Sequence, residues 1–62
     1  MKLIFVDKYE KDKVIATVQS DNIPVGGKYV NTYVVLKGKR YGVSNVTIDY
    51  DNNSATIGIY DD

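Results

Sequence analysis

The last third of the chain alternates between apolar and polar residues in two runs, Val46-Thr47-Ile48-Asp49-Tyr50 and Ala55-Thr56-Ile57-Gly58-Ile59-Tyr60. Between them stand the turn formers Asp51-Asn52-Asn53-Ser54. Side chains of a strand point to opposite faces in turn, so this period of two describes strands with one buried face. Two such runs around a turn are a β-hairpin. An isolated hairpin is marginal in water, so the rest of the chain has to supply the strands that cover it.

It does so without a helix. No window of eleven residues carries a helical stripe, and Val, Ile, Thr and Tyr dominate, which suits half-buried pleated surfaces. A first strand is expected at Lys2 to Asp7, where the unbroken Leu3-Ile4-Phe5-Val6 calls for apolar neighbours on both faces or a central position. A charged connector, residues 8–12, leads into a second strand at residues 13–19, with Val14, Ala16 and Val18 on one face. Residues 20–27 hold Pro24, which biases Ile23 to extended geometry, and the Gly26-Gly27 pair, so a bend is expected there with Ile23 and Val25 tucked under the sheet. A third strand follows at residues 29–36, then a tip at Lys37-Gly38-Lys39-Arg40 and a fourth strand from Tyr41.

In that fourth strand the apolar phase slips. Tyr41 and Val43 share a face, but Val46, Ile48 and Tyr50 are out of step with them by one residue. An extra residue at Ser44-Asn45, a β-bulge, restores the phase and bends the strand. Gly58, in the strand that follows, relieves crowding where the sheet curves. The resulting expectation is an all-β single domain, residues 1–62, with five strands in an antiparallel meander coiled into a small SH3-like barrel. An open five-stranded sheet that dimerises over its apolar face is the alternative. At this length a fold buries only about 60% of the surface its unfolded chain exposes, so there is one core at most.

Three segments together resemble a layout found in short bacteriophage and prophage proteins with SH3-like barrels: residues 23–30 (Ile-Pro-Val-Gly-Gly-Lys-Tyr-Val), residues 38–46 (Gly-Lys-Arg-Tyr-Gly-Val-Ser-Asn-Val) and Asp49-Tyr50-Asp51. In that layout a Pro-x-x-Gly bend precedes a strand, a Gly-x-x-Tyr-x-Val hairpin follows, and a terminal hairpin closes the sheet. The resemblance covers about residues 23–60. It implies a mobile-element origin and a binding role, and it carries no functional residue across.

The chemistry available is limited. There is no cysteine and no histidine, hence no thiolate and no ordinary neutral-pH proton shuttle. Ser20, Ser44, Ser54 and the threonines would need a lysine or carboxylate as activating base, on a surface too small to desolvate one well. Asp49 and Asp51 stand on one face of an extended strand, about 7 Å apart by the strand rise, a spacing that superficially suits acid–base work. Asp49-x-Asp51-x-Asn53 opens like a calcium loop, but Ser54 replaces the glycine and Tyr60 the bidentate glutamate, so an Asx turn is the favoured reading. No enzyme, metal or cofactor is expected. Leu3 to Val6 is too short for a signal-peptide core or a membrane span, which points to a cytoplasmic protein.

What remains is binding. The net charge is zero, yet residues 1–42 carry all eight bases against four acids and residues 43–62 carry four acids alone. Such asymmetry steers charged partners unless the two segments interleave in space and cancel. Six tyrosines are the other surplus; Tyr41 and Tyr50 fall on the inward phase, while Tyr9, Tyr29, Tyr33 and Tyr60 are expected outside. The leading expectation is a non-enzymatic module that binds one protein partner, as an inhibitor or adaptor, through Tyr29, Tyr33, Lys37, Lys39 and Arg40. Two alternatives stand beside it. The same basic and aromatic surface would suit single-stranded nucleic acid, and a free sheet edge would suit a self-assembling homo-oligomer.

Overall fold

The computed structural model describes residues 1–20 and 33–61. Five strands make one curled, open sheet: β1 (Lys2–Asp7), β2 (Val14–Gln19), β3 (Tyr33–Leu36), β4 (Lys39–Asp49) and β5 (Ser54–Asp61). The expected all-β class stands. The strand order is β2-β1-β5-β4-β3, with β1 parallel to β5 and every other neighbour antiparallel. The sheet is therefore mixed, and a purely antiparallel meander is not what forms. β2 and β3 are its opposite edges, so it is open where a closed barrel was expected. The bend expected at residues 20–27, with Ile23 and Val25 beneath the sheet, lies outside the described residues beyond Ser20.

The unbroken apolar run of β1 is explained by position. β1 sits between β2 and β5, its Leu3 and Phe5 face the core, and Val6 is buried on the other face. β5 is the centre of the fold: Ala55, Ile57 and Ile59 have no exposed surface at all. Val43 joins them, and Val34, Leu36, Tyr41, Val46 and Ile48 pack around this cluster. At the end of β1 the Asp7 carboxylate turns the chain, Oδ1 accepting from the N–H of Tyr9 (2.8 Å) and of Glu10 (3.1 Å). The first hairpin then pairs β1 with β2 as expected.

Two bulges shape the sheet. In β4 the pairing steps from Val43↔Ile59 to Asn45↔Gly58, leaving Ser44 as the extra residue and keeping Tyr41, Val43, Val46 and Ile48 on the core face. This is the bulge that the phase slip demanded. In β2 the pairing steps from Phe5↔Ala16 to Val6↔Val14, leaving Ile15 extra. Val14 is thereby rotated out of phase with Ala16 and Val18 and is 56% exposed, while Ile15 packs against the core. The face expected for Val14 is corrected accordingly.

The β3–β4 connection is shorter than expected. Lys37 (φ 53°) and Gly38 (φ 81°) alone form it, both at the positive φ that a two-residue type I′ hairpin turn requires. Lys39 and Arg40 belong to β4, paired with Leu36 and Val35. At the other hairpin, β4 ends at Asp49, so Tyr50 is in the turn and 72% exposed instead of continuing inward. Asp51 lies in the same turn, which removes the expected strand face shared by Asp49 and Asp51.

Candidate functional site

Register sorts the side chains of β3, β4 and β5 between the core face and an outer face. Tyr33 pairs with Gly42, which pairs with Tyr60, and all three belong to the outer face. Two residues along β3 and β4, Val35 pairs with Arg40 on that same face. Tyr33 is 52% and Val35 66% exposed, on an edge strand only four residues long. The Arg40 guanidinium carbon lies 4.5 Å from the Tyr33 ring centroid, a cation–π contact that holds both side chains against the sheet.

The strip continues across β5. Tyr60 lies over Gly42 so closely that a Cβ there would run into its ring. Lys8 Nζ stands 5.1 Å from the Tyr60 ring centroid and 5.3 Å from that of Tyr9. A row of aromatic rings, each with a cation on it, thus crosses the outer face from β3 to the end of β1. Glycine at position 42 makes the row flat by letting Tyr60 lie down on the backbone.

Of the contact residues expected from the sequence, Tyr33 and Arg40 come together here. Lys39 does not join them, because its neighbour's side chain and its own alternate across the sheet. Its Nζ is 3.0 Å from Asp61 Oδ1 and 5.2 Å from the centroid of Tyr41, and the Asp61 hydrogen bond and charge raise its pKa above 10.5. Lys37 stands at the turn, and Tyr29 lies outside the described residues. Val35, Lys8, Gly42 and Tyr60 were missed. Period two from Tyr33 would have found Val35, whereas Gly42 and Tyr60 meet only through strand pairing.

Asp49 accepts hydrogen bonds from the backbone N–H of Asn52 (3.2 Å) and from its Nδ2 (2.7 Å), which is an Asx turn. These bonds, the side-chain one first, hold the Asp49 carboxyl below its ordinary pKa of 3.8. Among the described residues no three His, Cys, Asp or Glu side chains are grouped to hold a metal ion. Nor is any helix among them long and apolar enough to cross a membrane. The acidic end and the basic segment interleave: Lys39 pairs with Asp61, and the Lys2 N–H donates to Asn53 O at 3.1 Å, beside the turn that carries Asp49 and Asp51. The chain matches no protein family, no curated protein and no solved structure.

Proposed function

We propose that this chain is a non-enzymatic protein-binding module, of phage or mobile-element type and cytoplasmic, that docks one protein partner on the outer face of β3 and β4. One observation carries the reading: Tyr33 and Val35 are exposed on an edge strand, with Arg40 stacked over Tyr33. Tyr and Arg are the residue types that concentrate binding energy at the centre of protein interfaces. Stacking holds both side chains before any partner arrives, so less rotamer entropy is lost on docking.

The same geometry disfavours single-stranded nucleic acid. Bases stack on open aromatic faces, but Tyr33 and Tyr60 each carry a cation of this chain. Lys39 is engaged by Asp61, and a net charge of zero gives little phosphate neutralisation. The test compares the wild type with a Tyr33→Ala, Val35→Ala, Arg40→Ala triple variant, each used to capture partners from a lysate of the source cells. A protein retained by the wild type and lost with the variant supports the reading. Identical capture by both overturns it, as does saturable, salt-sensitive binding of labelled oligonucleotides.

A further inference from the structure

A second feature of the outer face lies one side-chain row from the Gly42–Tyr60 pair, at the centre of the sheet. Asn45 stands opposite Gly58 and Thr47 opposite Thr56, so the three polar side chains share one face within about 7 Å of one another. They line a concavity of about 100 Å³ together with Lys8 and Lys11. The bulge and the glycine create it. With Ser44 extruded, Asn45 is aimed across β5, and its Oδ1 accepts the Gly58 N–H at 3.1 Å. A Cβ at position 58 would collide with that oxygen.

This bond satisfies a ladder donor where the bulge interrupts the pairing, which accounts for Oδ1 but leaves the other half of the amide over. Because only Oδ1 is committed, Nδ2 keeps both of its N–H donors. Among the described residues no partner engages Nδ2 or the hydroxyls of Thr47 and Thr56. Lys11 brings positive charge to the rim, and the Lys8 ammonium is held nearby at the Tyr9 and Tyr60 rings. Asp7 also lines the concavity with a negative charge; its Oδ1 is taken by the N–H groups of Tyr9 and Glu10, and against it stand the two ammonium groups of Lys8 and Lys11, which leave the lining with a net charge of one positive. Donors therefore outnumber acceptors, and the volume is that of a small group, not of a drug-sized ligand.

We infer that this concavity binds a carboxylate, with Asn45 Nδ2 and the Thr47 and Thr56 hydroxyls donating to its oxygens and Lys11 supplying the charge. Such charge-assisted bonds are about twice as strong as neutral ones. The carboxylate is that of a glutamate or aspartate on the partner's docking segment. That assignment of source rests on the protein-binding reading, since the concavity and the Tyr33–Arg40 surface share one face; the chemistry of the site does not.

The experiment follows the Gly58 amide and Asn45 side-chain resonances of the ¹⁵N-labelled protein at constant ionic strength. Probes are acetate, phosphate, and a blocked alanine-rich peptide with a single glutamate or, as control, a single glutamine. Saturable shifts with acetate and the glutamate peptide, absent with glutamine, are expected. A Thr47→Val, Thr56→Val variant should weaken the glutamate peptide about tenfold or more, having lost two donors to a charged group while keeping strand-forming shape. Lys11→Gln, at an exposed position that does not threaten folding, should weaken it too. Equal response to the glutamine peptide, binding of phosphate without carboxylate, or affinity indifferent to both variants overturns the inference. Acetate binding without peptide binding overturns only the partner as its source. The Tyr33, Val35, Arg40 variant keeps this site, so the two readings fail separately.

Discussion

Adding one carbon at position 58 tests the close approach of Asn45 to the Gly58 backbone. In Gly58→Ala the new methyl meets Asn45 Oδ1, and the amide cannot retreat without giving up the Gly58 N–H it satisfies. The expected cost is about 1–3 kcal/mol in urea unfolding, from overpacking plus a weakened part-buried hydrogen bond. In an Asn45→Ala background the clash is gone, so the same substitution should cost clearly less, a coupling that a double-mutant cycle reads directly. Gly42→Ala differs in kind. Its methyl meets the far end of the Tyr60 ring, which swings aside on its χ angles, so it should cost less than Gly58→Ala. Asp49 gives a pH test at the same scale. Its folded pKa lies below the ordinary 3.8, so its contribution to stability is complete above 3.8 and is lost as pH falls through the lower folded value. Asn52→Ala should move the carboxyl titration of Asp49, followed by NMR, back toward 3.8.

At the scale of elements, the two bulges show what a sequence discloses about a sheet. The β4 bulge was legible because the apolar set slips by one residue between Val43 and Val46, and burial forces the chain to absorb the slip. The β2 bulge was not, because Val14 and Ile15 are both apolar and either choice of phase looks the same. The candidate site divides in the same way. Tyr33 and Arg40 were found as residue types near a basic tip, but Gly42, Tyr60 and the Asn45–Gly58 contact are products of pairing between strands. The β3–β4 turn offers a prediction of its own. Lys37 occupies the left-handed region at φ 53°, which costs a residue with a Cβ about 1 kcal/mol and an asparagine less. Lys37→Asn should therefore raise the urea midpoint modestly by making the turn Asn-Gly, the preferred type I′ pair. Gly38→Ala should lower the unfolding free energy by about 1 kcal/mol for the opposite reason.

For the whole molecule, the parallel pairing of the first and last strands is the organising fact, and alternation in the sequence had no means of announcing it: periodicity says which face a residue takes, never which strand lies alongside. The pairing places Phe5 beside Ile57 and makes β5 the strand on which both halves of the sheet depend. Total stability for a chain of this size is about 3–9 kcal/mol. Ile57→Ala, costing about 2–5 kcal/mol at a fully buried site, should thus remove a large share of that stability and lower the urea midpoint more than any surface substitution. Direction can be measured without mutating the core. In the parallel register Lys2 stands beside Ser54, next to Asn53, while Asp61 is seven residues further along β5, about 23 Å away by the strand rise. Spin labels on the exposed positions Lys2 and Asn53 should therefore report a short distance, and labels on Lys2 and Asp61 a long one. An antiparallel arrangement of β1 and β5 would reverse the two, because Lys2 would then lie at the far end of β5. It would also put Lys8 at the opposite end of the sheet from Tyr60 and carry the Lys8 and Lys11 rim away from Asn45, so the distance pair tests the β1 end of the aromatic strip and the concavity, while the Tyr33–Arg40 surface, built on β3 and β4 alone, survives either direction.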